Sequence, residues 1–215
     1  MAAGAPTNGH RLFVKQVNLL EMHRRIDELI AQGPVGDDFI FNEDIVCSLH
    51  RIAMRELLDA PGEYRRHNVE ITYADHKPPR WETVPTFMKD FVCYVNKHWS
   101  DRHMVHLAAF SMWRLCWIHP FPNGNGRTAR GVSYLVLSAR YGGHLPPKNS
   151  IIEQIVNDKK TLGIDAPYYR ALGASDKKHK NCETECSACE GECTCSNQME
   201  AMVLDHFKRQ LTANL

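Results

Sequence analysis

Apolar residues recur at helical spacing through most of this chain, and a single short stretch departs from it, which points to a helical bundle with one extended excursion. Over residues 12–32 the repeat is carried by Phe13, Val17, Leu20, Ile26, Leu29 and Ile30, and it stops at Gly33-Pro34, a pair that ends helices. A second helix is expected over residues 42–58, with Asn42 as N-cap and Glu43 and Asp44 in its first turn. The same spacing predicts helices over residues 84–98, 104–118, 128–140, 150–160, 165–172 and 198–211. The departure is at Val69, Ile71 and Tyr73, which alternate with polar residues ahead of a turn-rich stretch ending in Pro78-Pro79-Arg80. It predicts an exposed β-hairpin over residues 69–82, and the expected fold class is mostly α with that one hairpin.

A chain of 215 residues with 43% hydrophobic content can bury one good-sized core. A formal net charge of +1 and a pI near 7.7 supply no global field to hold it on nucleic acid or an anionic membrane, so neither is an expected partner. The first ten residues lack the apolar region of a secretory signal, and no run approaches the ~18 apolar residues that cross a bilayer. A soluble, cytoplasmic protein is the expectation, with export by a route lacking such a signal left open. Cys47, Cys93 and Cys116 stand singly in apolar-periodic stretches and are expected to be reduced core residues. Trp113 and Trp117 read as core or rim, and the basic run at residues 177–180 as a solvated loop.

Chemistry concentrates between the two central helical stretches, in His119-Pro120-Phe121-Pro122-Asn123-Gly124-Asn125-Gly126-Arg127-Thr128-Ala129-Arg130. Glycines flanking an asparagine permit positive φ, and such a turn can aim successive N–H groups into one anion site. The helix that follows adds its positive N-terminal dipole. Arg127 and Arg130, three apart, bring permanent cations to the same face. His119 can titrate near neutral pH and take a proton from an attacking hydroxyl.

This segment resembles the signature of the Fic family, His-x-Phe-x-(Asp or Glu)-Gly-Asn-Gly-Arg with a further arginine, and matches it at every position but one. Upstream, Pro61-Gly62-Glu63-Tyr64-Arg65, Val69, Ile71, His76, Pro78-Pro79, Val84-Pro85 and Met88 are similar to the family's approach to a β-hairpin flap, and the likeness runs through residues 61–146. The resemblance implies a protein adenylyltransferase. His119 is its base, deprotonating a Ser, Thr or Tyr hydroxyl of a target protein that attacks the α-phosphorus of ATP. Gly124, Asn125 and Gly126 hold the phosphates, Arg127 neutralises the leaving phosphates, Arg130 grips the γ-phosphate, and Phe121 anchors the loop. The hairpin acts as a flap that pairs with the target's backbone.

The departure is Asn123, where most active members carry an acidic residue that holds magnesium between the α- and β-phosphates. An amide offers Mg²⁺ or Mn²⁺ one neutral oxygen, which predicts weakened metal binding and a slower enzyme. A transferase using another phosphate-linked donor and a retired nucleotide-binding or metal-sensing module stay open beside it. The domain layout expected is a Fic domain over residues 1–175, a Cys/Glu-rich segment over 176–197 and a C-terminal helix over 198–215. Cys182, Cys186, Cys189, Cys193 and Cys195 form a separate candidate site for zinc or iron, set against the alternative of a solvated acidic segment. Ser196 and Glu200 resemble the (Ser or Thr)-x-x-x-Glu motif of the family's inhibitory helix, which implies a Glu200–Arg130 pair. The sequence defines neither the target protein nor an oligomeric state.

Overall fold

The most apolar helical stretch of the sequence lies at the centre of the molecule. The structure, a computed structural model, describes residues 8–32, 39–72, 74–143, 145, 150–180 and 195–213. Helix α4 (Met104–Ile118) is apolar all round, with Leu107, Ala108, Phe110, Met112, Trp113 and Leu115 buried, as befits a helix enclosed by others. After the loop at residues 119–124, α5 (Asn125–Tyr141) packs along it over the most extensive helix contact in the fold. Helices α1 (Asn8–Gln32) and α2 (Glu43–Met54) pack against α5, and α3 (Val84–Lys97) packs against α4. Gly131 permits the α1–α5 approach, since a Cβ there would lie 2.8 Å from Met22 Sδ. Helices α6 (Ile151–Leu162), α7 (Pro167–Lys180) and α8 (Asn197–Thr212) complete the bundle, and no helix among the described residues is long and apolar enough to cross a membrane.

The capping chemistry appears where the sequence places it. The Asn42 side chain accepts from Ile45 N at 3.0 Å, and Ser150 and Glu153 form a reciprocal capping box. The buried face of α1 is Val14, Asn18, Met22, Ile26 and Ile30, whereas Phe13 and Leu20 are exposed. The basic run at 177–180 is the last turn of α7, where cations suit the helix dipole. The boundary expected at residue 175 therefore falls inside a helix. α8 contributes Met199, Met202, Val203 and Phe207 to the common core.

Two expectations need correction. No strand forms among the described residues of 69–82; the segment is an irregular loop closed at its tip by Ala74 N donating to Ile71 O at 3.3 Å. Pro78 and Pro79 have no N–H to give a ladder. Side chains tie the arms instead: the Arg65 guanidinium donates to Pro79 O, and Asn68 Oδ1 accepts from Trp81 N at 3.1 Å. Cys93 is neither reduced nor in the core. It is exposed on α3, across the helix from Met88, Phe91 and Val95, and is disulfide-bonded, while the Cys47 and Cys116 thiols are free.

Candidate active site

His119 ends α4 in a left-handed conformation, φ 51° and ψ 55°, uncommon for a residue with a Cβ. Two contacts fix it. Arg65, 2% exposed, donates from Nε to His119 O at 2.8 Å, and its own N–H donates to Pro120 O at 2.8 Å. The ring's Nδ1 lies 3.1 Å from Cys116 O, an atom that can only accept, so the proton sits on Nδ1 and Nε2 keeps its lone pair. Nε2 makes no hydrogen bond among the described residues. Burial, with lesser contributions from Arg65 and His76, lowers the pKa below 6.5, so the imidazole is neutral at pH 7.

The following loop is held from inside. Asn125, 3% exposed, spends its side chain on Phe121, accepting from its N–H at 2.9 Å and donating to its carbonyl at 2.8 Å. The Asn125 side chain thus shapes the turn and leaves its backbone N–H for an anion. Gly124 caps α5 at φ 81°, and its carbonyl accepts from Arg127 N and Thr128 N. The N–H groups of Asn125 and Gly126, first in α5, have no acceptor among the described residues. Arg130 is 6% exposed, yet its Nε and Nη1 are buried without a hydrogen-bond partner among the described residues. Arg127 donates from Nη1 to Ala53 O at 3.0 Å, and its pKa is depressed by burial and then by Arg130, a repulsion that an anion between them relieves.

His50, which sequence reasoning missed, holds the loop from below. Fully buried, it stacks on Phe121 with centroids 3.7 Å apart, donates from Nε2 to Asn123 O at 2.9 Å and accepts Gly62 N–H on Nδ1 at 2.8 Å. Burial lowers its pKa to about 4. Because that value lies below the unfolded 6.5, the unfolded chain binds more protons between the two. His50 therefore contributes stability that is present above pH 6.5 and lost as the pH falls toward 4, on the order of 3 kcal/mol. Urea denaturation across that range is expected to reveal the loss in the wild type and a much flatter profile in His50→Gln.

Asn123 is exposed, and its Oδ1 already accepts from Gly124 N at 2.6 Å. The protein thus gives a divalent cation one neutral, preoccupied oxygen, and no group of three or more His, Cys, Asp or Glu among the described residues can hold a metal. These residues do not build a metal site of their own. Cys182, Cys186, Cys189 and Cys193 lie outside the described residues. Cys195 is buried, with Sγ 3.8 Å from His179 Nδ1.

The Glu200–Arg130 pair does not form. Glu200 accepts from His106 Nδ1 at 2.9 Å and from Ser196 Oγ at 3.3 Å, and the hydrogen bond from His106 lowers its pKa. His106 is in the first turn of α4 and His119 caps the other end, about 20 Å further along the axis. α8 thus presents Glu200 to the end of α4 remote from the 119–124 loop.

His119, Asn123, Gly124, Asn125, Gly126, Arg127 and Arg130 line one cleft of about 1250 Å³. Ile71, Thr72, Asp75 and His76 of the 69–82 loop also line it, as do Lys159, Tyr168 and Asp176 from α6 and α7. His76 joins the loop to the bundle, donating from Nε2 to Trp117 O at 2.8 Å and stacking on the Trp117 ring.

This bundle is the fold of solved Fic proteins. A Fic domain containing signaling protein from Bacteroides thetaiotaomicron superposes with a TM-score of 0.69 at 22% identity, covering 99% of this chain and 74% of that one. A Fic family protein from Desulfovibrio desulfuricans superposes with a TM-score of 0.63 at 19% identity, covering 100% of this chain and 56% of that one. Residues 40–137 match the Fic/DOC family model. The match begins ahead of α2 and so includes His50. The protein adenylyltransferase Fic of Drosophila persimilis is 37% identical over 89 residues, 40% of this chain and 17% of that protein. The chain thus spans less than a fifth of the length of that relative.

Proposed function

We propose that this chain is a protein adenylyltransferase, moving AMP from ATP onto a Ser, Thr or Tyr hydroxyl of a target protein. The observation that supports it best is the meeting, in one cleft, of a neutral imidazole with an Nε2, and a buried guanidinium with an Nε and Nη1, that have no hydrogen-bond partner among the described residues. His119 Nε2 takes the proton as the hydroxyl oxygen bonds to the α-phosphorus, and the bond to the β-phosphate oxygen breaks, releasing pyrophosphate. Negative charge developing on the phosphates meets the N–H groups of Asn125 and Gly126, the N-terminus of α5, Arg127 and Arg130. The 69–82 loop receives the target beside His119. Its tie to Trp117 and its Arg65 anchor make it a fixed guide, and its open backbone permits strand-like pairing.

Mass spectrometry of purified protein incubated with ATP and Mg²⁺ or Mn²⁺ tests this reading. The expected result is covalent addition of one AMP, on the chain itself or on a partner from lysate. Asn123, with its preoccupied amide, favours a second reading, a binding module that no longer transfers. ATP binding without any AMP adduct, in either metal, selects that reading over the transferase.

A further inference from the structure

Arg130 on α5 and Lys159 on α6 both approach the Tyr168 ring, and Lys159 Nζ lies nearer still to the Tyr169 ring, 4.7 Å from its centroid. The Arg130 guanidinium carbon is 5.6 Å, and Lys159 Nζ 5.3 Å, from the Tyr168 centroid. Tyr168 is 2% exposed and locked in place, its hydroxyl 3.1 Å from Cys116 Sγ at the end of α4. The ring face attracts each cation but leaves its charge intact. The carboxylates nearby are otherwise engaged: Asp158 pairs with His206, and Asp176 accepts from Trp113 Nε1 at 2.9 Å. Among the described residues neither Arg130 nor Lys159 has an acidic partner, and both face the cleft. Lys159 and Tyr168 also lie beyond the residues matched to the family model.

Paired cations suit a dianion. A free terminal phosphate carries about −1.5 to −2 at pH 7, whereas one esterified on both sides carries about −1. We propose that Lys159 and Arg130, both beside Tyr168, form a two-cation receptor for the terminal phosphate of the donor, so that the cleft selects nucleotides whose terminal phosphate is free over those in which it is esterified. This rests on the reading of the cleft as a phosphate site. It names Lys159 as a specificity-determining residue and a nucleoside triphosphate, not a capped diphosphate, as the donor class.

Calorimetric titration of the full chain with ATP and with ADP-glucose, whose terminal phosphate is esterified, tests it. Lys159→Gln is expected to weaken ATP about tenfold and ADP-glucose by less than about twofold, and Lys159→Arg to keep ATP within about threefold of the wild type. An unchanged ATP affinity in Lys159→Gln, or equal losses for both ligands, overturns the two-cation receptor. Arg130→Ala separates the two ideas. If it loses ATP while Lys159→Gln does not, the phosphate cleft stands and the receptor falls; if the wild type binds no ATP, both fall.

Discussion

Replacing His119 with alanine is expected to lower AMP transfer by about 10²–10⁴-fold while leaving ATP affinity within about twofold of the wild type. The separation follows from where each task lies. On the proposed function, the phosphate grip lies with the N–H groups at the start of α5 and with Arg127 and Arg130, apart from the imidazole. Proton removal belongs to His119 Nε2, freed because Nδ1 donates to Cys116 O. Burial also sets the pH profile: with a pKa below 6.5 the base is ready at pH 7, so transfer is flat near neutrality and falls only in acid, below the ordinary histidine range. The rate of AMP incorporation by mass spectrometry and the affinity by calorimetry measure the two effects separately. Equal transfer by His119→Ala and the wild type would remove the mechanism.

Most of the helical frame can be read from the sequence because an amphipathic period and a cap are local. Asn42 and Ser150 cap the helices that follow them, and the span predicted for the central helix, residues 104–118, is that of α4. The stretch at residues 69–82 misled for a physical reason: alternation at Val69, Ile71 and Tyr73 suits a strand, but a ladder needs donors on the returning arm, and Pro78-Pro79 has none. On α1 several faces carry apolar residues, and packing against Gly131 selects the one with Met22 and leaves Phe13 and Leu20 outside. The motif at 119–130 showed the loop chemistry but not what holds the loop. His50 acts on Asn123 across 73 positions of sequence, and no spacing rule connects them. The same limit undid the expected Glu200–Arg130 pair, since Ser-x-x-x-Glu describes one turn of α8 and says nothing about which end of α4 that turn meets.

Gly124→Ala is expected to cost about 2–5 kcal/mol of folding stability, combining about 1–2 kcal/mol for a left-handed residue with about 1–3 kcal/mol for overpacking. At φ 81°, a Cβ at residue 124 would lie 2.5 Å from Met54 Sδ, 2.6 Å from Met54 Cγ and 3.2 Å from His50 Nε2. Met54 is 1% exposed and His50 is clamped at both nitrogens, so neither has free space to enter. Gly142 supplies the control. It has a similar φ of 87°, caps the other end of α5, and would place its Cβ with nothing within 4 Å. Gly142→Ala therefore carries the conformational cost alone, and the difference between the two variants in urea denaturation isolates the packing of Met54 and His50 against the phosphate loop. That difference is expected to exceed about 1 kcal/mol. Equal losses in the two variants would mean that Met54 moves aside freely and that the loop owes its shape to Asn125 and His50 without it.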